Sequence, residues 1–242
     1  MVQIPEEARE EVIVMVLKIL GLADLHSRGR LAIDSLTRIV EEEKIDLIAV
    51  AGDLTTFGNP KKVRKVLEEL DKLNKPIFYV PGNMDSEDSD SIEFSNVKPL
   101  HARTRNFQGF NFIGLGASNP TPFNTPNELP EEMLSLLLGK ALEERPNDDP
   151  LILISHTPPL DSEADKIRRG THVGSFCVRD FIEREKPILV LCGHIHESKS
   201  ISMISETLCI NPGAGAHSNA AIIEIMLEEQ GKAIAKADFV NF

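Results

Sequence analysis

Seven side chains that could bind metal ions stand directly after short apolar runs of the chain. Each run, such as residues 47–51 or 151–154, has the length and composition of a buried strand. Ligands of open α/β sheets gather beyond the carboxyl ends of the strands, so these side chains are predicted to converge on one edge. Two aspartates, one asparagine and four histidines are enough to hold two divalent metals. The seven residues are Asp24, His26, Asp53, Asn83, His156, His194 and His196.

The spacing of these residues indicates how each could bind a cation. Asp24 and His26 are two residues apart at a strand end, so their side chains should point the same way. Asp53 follows Gly52, which allows a close backbone approach, and its carboxylate could bridge two ions. Mixed oxygen and nitrogen donors suit Mn, Fe, Zn, Co or Ni better than Ca or Mg. We therefore expect two divalent transition-metal ions, with manganese as one candidate.

A pair of such ions would have a definite chemistry. Two metals roughly 3.5–4 Å apart can activate a bridging water and stabilise the attacking and leaving oxygens of an in-line displacement. Their charge would outweigh that of the two aspartates and attract phosphate, even within a protein of formal charge −12. Each motif alone is weak, because Gly-Asp or Gly-Asn at a strand end is usually a turn. The ordered combination predicts a dinuclear centre, with Asp53 and Asn83 among the catalytic residues.

The elements that would carry these residues are alternating strands and helices in the first half of the chain, and a less regular series in the second half. The opening half has a β-α-β-α-β pattern, and its second helix starts at Pro60. A hairpin is predicted over residues 107–115, and the proline-rich residues 117–130 predict a long loop. Two helices follow, one reaching about Glu144 and one over 174–185, and the chain ends in four successive antiparallel strands. This order favours two packed mixed sheets flanked by helices.

The bulk composition limits the class of protein. The 242 residues, 41% of them hydrophobic, can bury a substantial core. The candidate ligands span Asp24 to His196, and no linker, repeat or low-complexity tract interrupts the chain. We therefore predict a single domain over residues 1–242.

Charge and cysteine usage exclude several functions. With 38 acidic and 26 basic residues and no basic stripe, the chain is not expected to bind extended nucleic acid, whereas small phosphorylated substrates remain compatible. No apolar run reaches the roughly 18 residues that cross a bilayer, and the N-terminus is acidic rather than a basic leader. The three cysteines show no C-x-x-C spacing and are interpreted as reduced thiols. A cytoplasmic protein without membrane contact is predicted, and a homo-oligomer is left open.

Taken in order, the motifs resemble those of the calcineurin-like metallophosphoesterase superfamily. The stretches 82–86 and 193–198 are most similar to prokaryotic phosphoesterases related to cyclic-nucleotide phosphodiesterases. The resemblance implies an α/β (α+β) fold, a four-layer α-β-β-α sandwich with two mixed β-sheets flanked by helices. The motifs that carry it are Asp24-x-His26, Gly52-Asp53, Gly82-Asn83-x-Asp85, His156 and Gly193-His194-x-His196.

The same resemblance implies how the ligands divide and what the protein does. Asp53 would bridge two metals, one held with Asp24, His26 and His196 and the other with Asn83, His156 and His194. It implies a dinuclear phosphoesterase in which a metal-bridging hydroxide attacks phosphorus without a covalent enzyme intermediate. We expect a phosphodiesterase of small or nucleotide phosphate esters. The alternatives are a phosphomonoesterase or protein phosphatase, or a non-catalytic scaffold on the same fold.

One position departs from the family pattern. Many members have Gly-Asn-His, whose histidine is thought to protonate the leaving group, whereas this chain has Met84. A thioether donates no proton, and positioned acid–base help is typically worth about 10²–10⁴-fold. Substrates with good leaving groups, such as aryl or nucleotide phosphodiesters and 2′,3′-cyclic esters, are therefore expected. Alternatively, Met84 only fills an apolar gap and another group supplies the proton.

Three further residues are candidates with two interpretations each. His172 could contact phosphate or act as the acid, or it could be a surface or capping histidine. Asp85 could orient an imidazole, or it could cap a short acidic helix. Phe123, in the proline-rich loop, could stack on a base or aryl group, although pinning of the loop to the core is the favoured interpretation.

Overall fold

The first sheet forms the framework for the N-terminal half of the candidate site. A computed structural model describes residues 13–27, 31–229 and 231–242, so the prediction about the acidic N-terminus lies outside the described residues. Four strands run parallel to their neighbours. A C-terminal strand pairs antiparallel with the first of them, and the last strand pairs antiparallel with that C-terminal strand. The sheet order is β12-β11-β1-β2-β3-β4. These strands are β1 (Ile13–Leu22), β2 (Leu47–Ala51), β3 (Ile77–Val80), β4 (Val97–Pro99), β11 (Asn219–Glu228) and β12 (Ala233–Asn241).

The second sheet is also mixed and carries the C-terminal half of the site. Its central strands are parallel, and a hairpin strand closes each edge. The sheet order is β5-β6-β7-β8-β10-β9. Its strands are β5 (Thr104–Phe107), β6 (Phe110–Leu115), β7 (Leu151–Ser155), β8 (Leu189–Leu191), β9 (Ser200–Ile204) and β10 (Thr207–Asn211).

Alternation along the strands generates four layers. In β1, Leu17 and Ile19 face the core between the two sheets, whereas Leu20 and Leu22 face the helices. The helices are α1 (Ile33–Glu42) and α2 (Pro60–Asp71) on the first sheet, and α3 (Glu131–Glu143) and α4 (Phe176–Glu185) on the second. The predicted α-β-β-α sandwich is confirmed.

Local sequence explains where several elements begin and turn. Asn59 caps α2 by accepting a hydrogen bond from the backbone of Lys62, and Pro60 occupies the first helical position. The predicted hairpin is present, and its turn residues Gln108 and Gly109 both have positive φ, 47° and 70°. Residues 117–130 form the long loop that the prolines predict.

The C-terminal strands differ from the prediction. They do not form one antiparallel series, because β9 and β10 complete the second sheet while β11 and β12 return to the first. Moreover, β10 pairs with β8 in parallel. These pairings join strands that are remote in sequence, so local patterns do not encode them. Cys177, Cys192 and Cys209 are free and buried. No helix in the described ranges combines the length and apolar character that a bilayer crossing requires.

Candidate metal centre

All seven predicted ligands lie at one edge of the sandwich, where strands of both sheets end. Three strands of the first sheet, β1, β2 and β3, deliver the first four ligands, and β7 and β8 of the second sheet deliver the rest. Because the two sheets are packed face to face, side chains more than a hundred residues apart become neighbours. The residues placed together are Asp24, His26, Asp53, Asn83, His156, His194 and His196.

The first group of donors is open to solvent on one side. One ligand atom from each of Asp24, His26 and His196 lies within 4.8 Å of the others. Nε2 of His26 is 3.1 Å from Nε2 of His196, which is 3.7 Å from Oδ1 of Asp24. Asp24 is fully buried, whereas the side chain of His196 is 40% exposed. A cation here would meet one carboxylate and two imidazoles.

The second group is deeper and meets the first at Asp53. Oδ1 of Asn83 is 2.7 Å from Nε2 of His156 and 2.9 Å from Nδ1 of His194. Asp53 places Oδ1 3.6 Å from Nε2 of His156 and Oδ2 3.6 Å from Nε2 of His26. The two oxygens of one carboxylate thus face the two groups.

The protonation of His156 shows that the donor set fits a cation. Nδ1 of His156 is 2.9 Å from the carbonyl oxygen of Ala51, which only accepts, so Nδ1 carries the proton of the neutral ring. Burial lowers the pKa of His156 and favours that neutral form. Its Nε2 lone pair then faces Oδ1 of Asn83, which is also an acceptor. The two acceptor atoms have no proton between them, because the proton of this tautomer lies on Nδ1. A metal ion bound to both atoms would satisfy them.

Burial also shifts the pKa values of the two aspartates and of His194. Burial raises the pKa of Asp53 well above its usual value, and the charges of Asp85 and Asp24 add to this effect. Burial also opposes ionisation of Asp24, but the hydrogen bond with His196 and the charges of His156, His196 and His26 together outweigh burial, and the pKa of Asp24 is lowered. Burial lowers the pKa of His194 to about 3. Clustered carboxylates and neutral imidazoles are the environment that a divalent cation stabilises.

The backbone at the ligands departs from extended geometry. Asp24, His26, Asp53 and His194 have φ values of 50°, 42°, 47° and 70°, in the left-handed region that few non-glycine residues adopt. Asp24 and His26 lie beyond the end of β1, so strand alternation does not place them, although their ligand atoms lie within 4.8 Å of each other. They are placed by hydrogen bonds between the loops that follow β1 and β2, such as Asp24 N–H to Gly52 O at 3.0 Å. Such strain is typical of functional sites.

Two glycines next to ligands leave the space that the ligand side chains need. A Cβ atom at Gly82 would lie 2.0 Å from Oδ1 of Asp53, and one at Gly52 would lie 2.3 Å from Nδ1 of His156. Gly52 also has a φ of 81°, which disfavours other residues. The Gly-Asp and Gly-Asn dipeptides are thus required by packing at the centre.

Asp85 has a different partner from either of those predicted. Its carboxylate accepts hydrogen bonds from the backbone of Leu54, Thr55 and Gly82 at 3.0 Å each, and from the Thr55 hydroxyl at 2.8 Å. It therefore orients no imidazole directly, and the N-cap of the short 3₁₀ helix Glu87–Ser91 is Ser86. Both expectations for Asp85 are corrected: it joins the loop after β2 to the loop after β3.

His172 belongs to a carboxylate–imidazole pair beside the centre. Nδ1 of His172 lies 2.6 Å from Oδ1 of Asp165, which is fully buried and also accepts from the backbone of Ser162. The side chain of His172 is 30% exposed. Its neighbour Val173 lines a cleft at the centre, but His172 is not part of that lining.

Two remaining candidates, and two histidines outside the predicted motifs, are placed as follows. Phe123 is 80% exposed, so the expectation that it pins its loop to the core is wrong. Met84 is half-buried, and its backbone N–H donates to Oδ1 of Asp53 at 2.8 Å. His101 accepts from the backbone of Gly116 at 2.7 Å and has a structural role. His217, for which the sequence gave no motif, lines a cleft with His26 and His196.

A clamp that sequence reasoning missed holds the amide of Asn83. Nδ2 of Asn83 donates to Oγ1 of Thr125 at 2.8 Å, and the Thr125 hydroxyl donates to Glu128 at 2.5 Å. The backbone N–H of Asn127 binds the carbonyl of Asn83 at 3.0 Å. The signal was the Thr-x-x-Glu spacing of residues 125–128, in which Glu128 also accepts from the Thr125 N–H, as in half of a capping box.

Two clefts adjoin the centre, and His196 belongs to the lining of both. The first, the His217 cleft, has a volume of about 620 Å³ and includes His26 and His217. The second, the Phe123 cleft, has a volume of about 530 Å³ and includes Phe123 and His194. Both volumes lie within the range of about 300–1,000 Å³ typical of small-molecule sites.

Comparisons with known proteins agree with this geometry. The model of the calcineurin-like phosphoesterase family matches residues 17–198. An uncharacterized protein of Methanocaldococcus jannaschii is 36% identical over 82% of this chain and 89% of its own length. A 3′,5′-cyclic adenosine monophosphate phosphodiesterase of Haemophilus influenzae is 25% identical over 65% of this chain and 57% of its own. A crystal structure of a Thermus thermophilus protein shares the fold, with a TM-score of 0.66 and 18% identity over 94% of this chain and 99% of that one.

The fold and the edge cluster are those of a metallophosphoesterase, a hydrolase that acts on phosphate esters. The chain belongs to the calcineurin-like phosphoesterase family and is related to cyclic-nucleotide phosphodiesterases. Residues 17–198 contain all the candidate ligands from both sheets.

Proposed function

We propose that this protein is a dinuclear metal-dependent phosphodiesterase of small or nucleotide phosphate esters. The observation that carries the proposal is the position of Asp53, whose two carboxylate oxygens each lie 3.6 Å from a histidine of a different donor group. One metal would be held by Asp24, His26, Asp53 and His196. The other would be held by Asp53, Asn83, His156 and His194.

The donor chemistry supports borderline transition metals. Oxygen donors from carboxylate and amide combine with four imidazoles, a set that suits Mn, Fe, Zn, Co or Ni. Two such ions, when bound, would supply Lewis acidity and an activated water at neutral pH. The protein's own residues fix the donors: Met84 N–H holds Asp53, and Thr125 selects which atom of the Asn83 amide faces the histidines.

A diester is favoured over a monoester by the two clefts. A phosphodiester carries two organic groups, and a phosphate beside His196 could extend one into the His217 cleft and the other into the Phe123 cleft. A monoester would use only one. The similarity to a cyclic-nucleotide phosphodiesterase supports the same substrate class.

Met84 supports substrates whose leaving group needs little protonation. Its side chain is half-buried beside the ligand Asn83 and has no proton to donate. Aryl and nucleotide esters leave as weaker bases than alkyl alkoxides. We therefore propose a preference for aryl or nucleotide phosphodiesters.

Metal analysis combined with a hydrolysis panel tests the proposal. The metal-free protein is titrated with Mn²⁺, Zn²⁺ and Co²⁺, and hydrolysis of bis(p-nitrophenyl) phosphate is compared with that of p-nitrophenyl phosphate. We expect two ions per chain and faster diester turnover. Asp53→Asn should abolish binding of at least one ion, whereas Asp34→Asn, an exposed aspartate on α1, should change nothing. Two bound ions without hydrolysis of any ester would favour a scaffold, and faster monoester turnover would favour a phosphomonoesterase.

We also propose that residues 1–242 act as one domain in the cytoplasm. The candidate centre draws on both sheets, so neither half of the chain could build it alone. Three free, buried cysteines are compatible with a reducing compartment. Limited proteolysis that released a folded, metal-binding fragment would contradict the single domain.

A further inference from the structure

The Phe123 cleft combines an exposed aromatic ring with two exposed arginines next to the candidate metal centre. Its lining includes His194 and His196 of the candidate centre, together with Phe123, Arg168 and Arg169. Both arginine side chains are exposed, and no carboxylate among the described residues pairs with either guanidinium. The cleft is thus continuous with the centre and offers two recognition chemistries beyond it.

The loop that carries Phe123 is cross-linked by hydrogen bonds. Glu128 accepts four hydrogen bonds from the backbone and hydroxyl groups of Thr121 and Thr125, which flank Phe123, at 2.5 to 2.9 Å. The Phe123 N–H donates to the Thr121 hydroxyl at 3.1 Å. A single exposed apolar residue needs no explanation by itself. Here, however, a fixed loop presents the ring with 80% of its surface uncovered beside a reaction centre, and such pre-organisation lowers the cost of binding.

The arginine wall provides net positive charge in an acidic protein. The formal charge of the chain is −12, yet this cleft contains Arg168 and Arg169 against one carboxylate, Glu197. Oε1 of Glu197 accepts the backbone N–H of Arg168 at 3.3 Å, so it bonds to the main chain and not to a guanidinium. Guanidinium groups bind phosphate in a bidentate manner. An anion is the ligand that this wall fits.

We propose that the Phe123 cleft binds a nucleotide arm of the substrate, with the base stacked on Phe123 and a second phosphate bound by Arg168 and Arg169. The inference rests on the proposed phosphodiesterase function and deepens it: the preferred substrate is a phosphodiester that carries an additional phosphate group, as a 5′-phosphorylated dinucleotide does. A cyclic mononucleotide has one phosphate, which the metal centre would take, so it leaves the arginines unused.

Three diesters separate the recognition elements. The 5′-phosphorylated dinucleotide pApA carries base and second phosphate, ApA carries the bases without the second phosphate, and bis(p-nitrophenyl) phosphate carries neither a nucleobase nor a second phosphate. The expected order of kcat/KM is pApA above ApA by about tenfold, the usual scale for a charge-assisted contact. In the double variant R168Q/R169Q, the ratio of kcat/KM for pApA to kcat/KM for ApA should fall to about one. Turnover of ApA and of bis(p-nitrophenyl) phosphate should stay unchanged.

The stacking contact is tested separately. Phe123→Ala should lower kcat/KM for both dinucleotides by about tenfold, the scale of one lost base–aromatic contact. Phe123→Leu, which keeps apolar bulk, should lose less. The matched controls are Phe176→Ala, an exposed phenylalanine at the start of α4, and Arg38→Gln, an exposed arginine on α1. Neither residue lines the cleft, and neither substitution should alter any of the three rates.

Binding provides a readout that does not depend on turnover. Calorimetric titration of the Mn²⁺-loaded protein should show tighter binding of adenosine 3′,5′-bisphosphate than of adenosine 5′-monophosphate, and R168Q/R169Q should remove the difference. Suppose that no diester is hydrolysed, but that the unmodified protein binds the bisphosphate more tightly and R168Q/R169Q does not. Then the proposed function fails and the nucleotide subsite stands. If diesters are hydrolysed but pApA and ApA react equally, or the variants leave their ratio unchanged, the subsite is overturned.

Discussion

The hydroxyl of Thr125 accepts a hydrogen bond from Nδ2 of Asn83 at 2.8 Å, and this bond decides which atom of the amide faces the histidines. With Nδ2 engaged, Oδ1 is directed to Nε2 of His156 and Nδ1 of His194. The Thr125 hydroxyl can accept because its own proton goes to Glu128. A loop from outside the sheets thereby orients a candidate ligand, as partners of metal ligands commonly do.

Thr125→Val should weaken metal binding at the Asn83 position. Valine keeps the shape of threonine but accepts no hydrogen bond, so the amide of Asn83 is free to rotate. Loss of such a partner typically costs about 10–100-fold in metal affinity. Thr125→Ser, which retains the hydroxyl, is the matched control. Metal titration followed by calorimetry measures both, and two ions bound to the valine variant with unchanged affinity would contradict the clamp.

Gly82→Ala should destabilise the metal-free protein and impair metal binding. The added Cβ would lie 2.0 Å from Oδ1 of Asp53 and 2.3 Å from its backbone nitrogen, so the ligand and its loop must move. The cost is expected to be on the order of 1–3 kcal/mol, the scale of overpacking. Urea unfolding without metal and a Mn²⁺ titration measure the two effects.

The control for that substitution lies in α3. Gly139 has no atom within 4 Å of an added Cβ and lies inside a helix. Gly139→Ala should therefore raise the free energy of unfolding by about 0.5–1 kcal/mol and leave metal binding unchanged. Equal stability of the Gly82 and Gly139 variants would show that the close approach at Gly82 is not a constraint.

Much of this centre could be predicted from sequence because strand ends and ligand types are local features. Apolar runs followed by Gly-Asp or Gly-Asn fix the positions of Asp53 and Asn83 whatever the sheet order is. Asp24 and His26 converge as predicted, but strand alternation is not the cause, since both residues have left-handed backbones, with φ of 50° and 42°. They reach the centre because the loop after β1 hydrogen-bonds to the loop after β2, a contact between remote segments.

The parts that escaped prediction depend on partners that are distant in sequence. The carboxylate of Asp85 binds backbone groups of Leu54 and Thr55, thirty or so residues earlier, and no local pattern encodes that choice. The parallel pairing of β10 with β8 places the second strand of the β9–β10 hairpin, rather than the first, next to the sheet centre.

The stability of the metal-free protein should decrease as the pH falls below about 6.5, the ordinary pKa of histidine. Burial lowers the pKa of His194 to about 3, so this ring stays neutral in the folded state while the unfolded chain takes up a proton. The unfolded state therefore binds more protons between these values, and the free energy of unfolding declines across them. In His194→Asn this part of the decline should be absent. Urea midpoints at several pH values measure the slope.

Glu128→Gln serves as the comparison because its titration falls in a lower range. Burial opposes ionisation of Glu128, but hydrogen bonds from Thr121 and Thr125 outweigh it and lower its pKa to about 2. Its contribution is present above its ordinary value of 4.5 and is lost as the pH falls from there towards 2. Between about pH 7 and 5, the free energy of unfolding of Glu128→Gln should thus change with pH as steeply as that of the unmodified protein. An unchanged slope in His194→Asn would refute the assignment of this pH dependence to His194.

Met84→His should raise the turnover of alkyl phosphodiesters more than that of aryl phosphodiesters. The side chain at this position follows Asn83 directly, and its backbone N–H is fixed on Asp53 at 2.8 Å, so an imidazole here would stand beside the candidate centre. Positioned acid catalysis typically contributes about 10²–10⁴-fold, and it matters most when the leaving alkoxide is a strong base. We expect kcat/KM for an alkyl diester to increase at least tenfold by that mechanism, with little change for bis(p-nitrophenyl) phosphate.

The comparison of leaving groups separates acid catalysis from a general effect on the site. A plot of log kcat/KM against leaving-group pKa should be steep for the unmodified protein and shallower for Met84→His, because a proton donor reduces the charge that develops on the leaving oxygen. Met84→Leu, which keeps an apolar side chain of similar size, should retain the steep slope. If the histidine variant leaves alkyl turnover and the slope unchanged, another group already supplies the proton. His172, held by the buried carboxylate of Asp165 at 2.6 Å, is then the next residue to substitute.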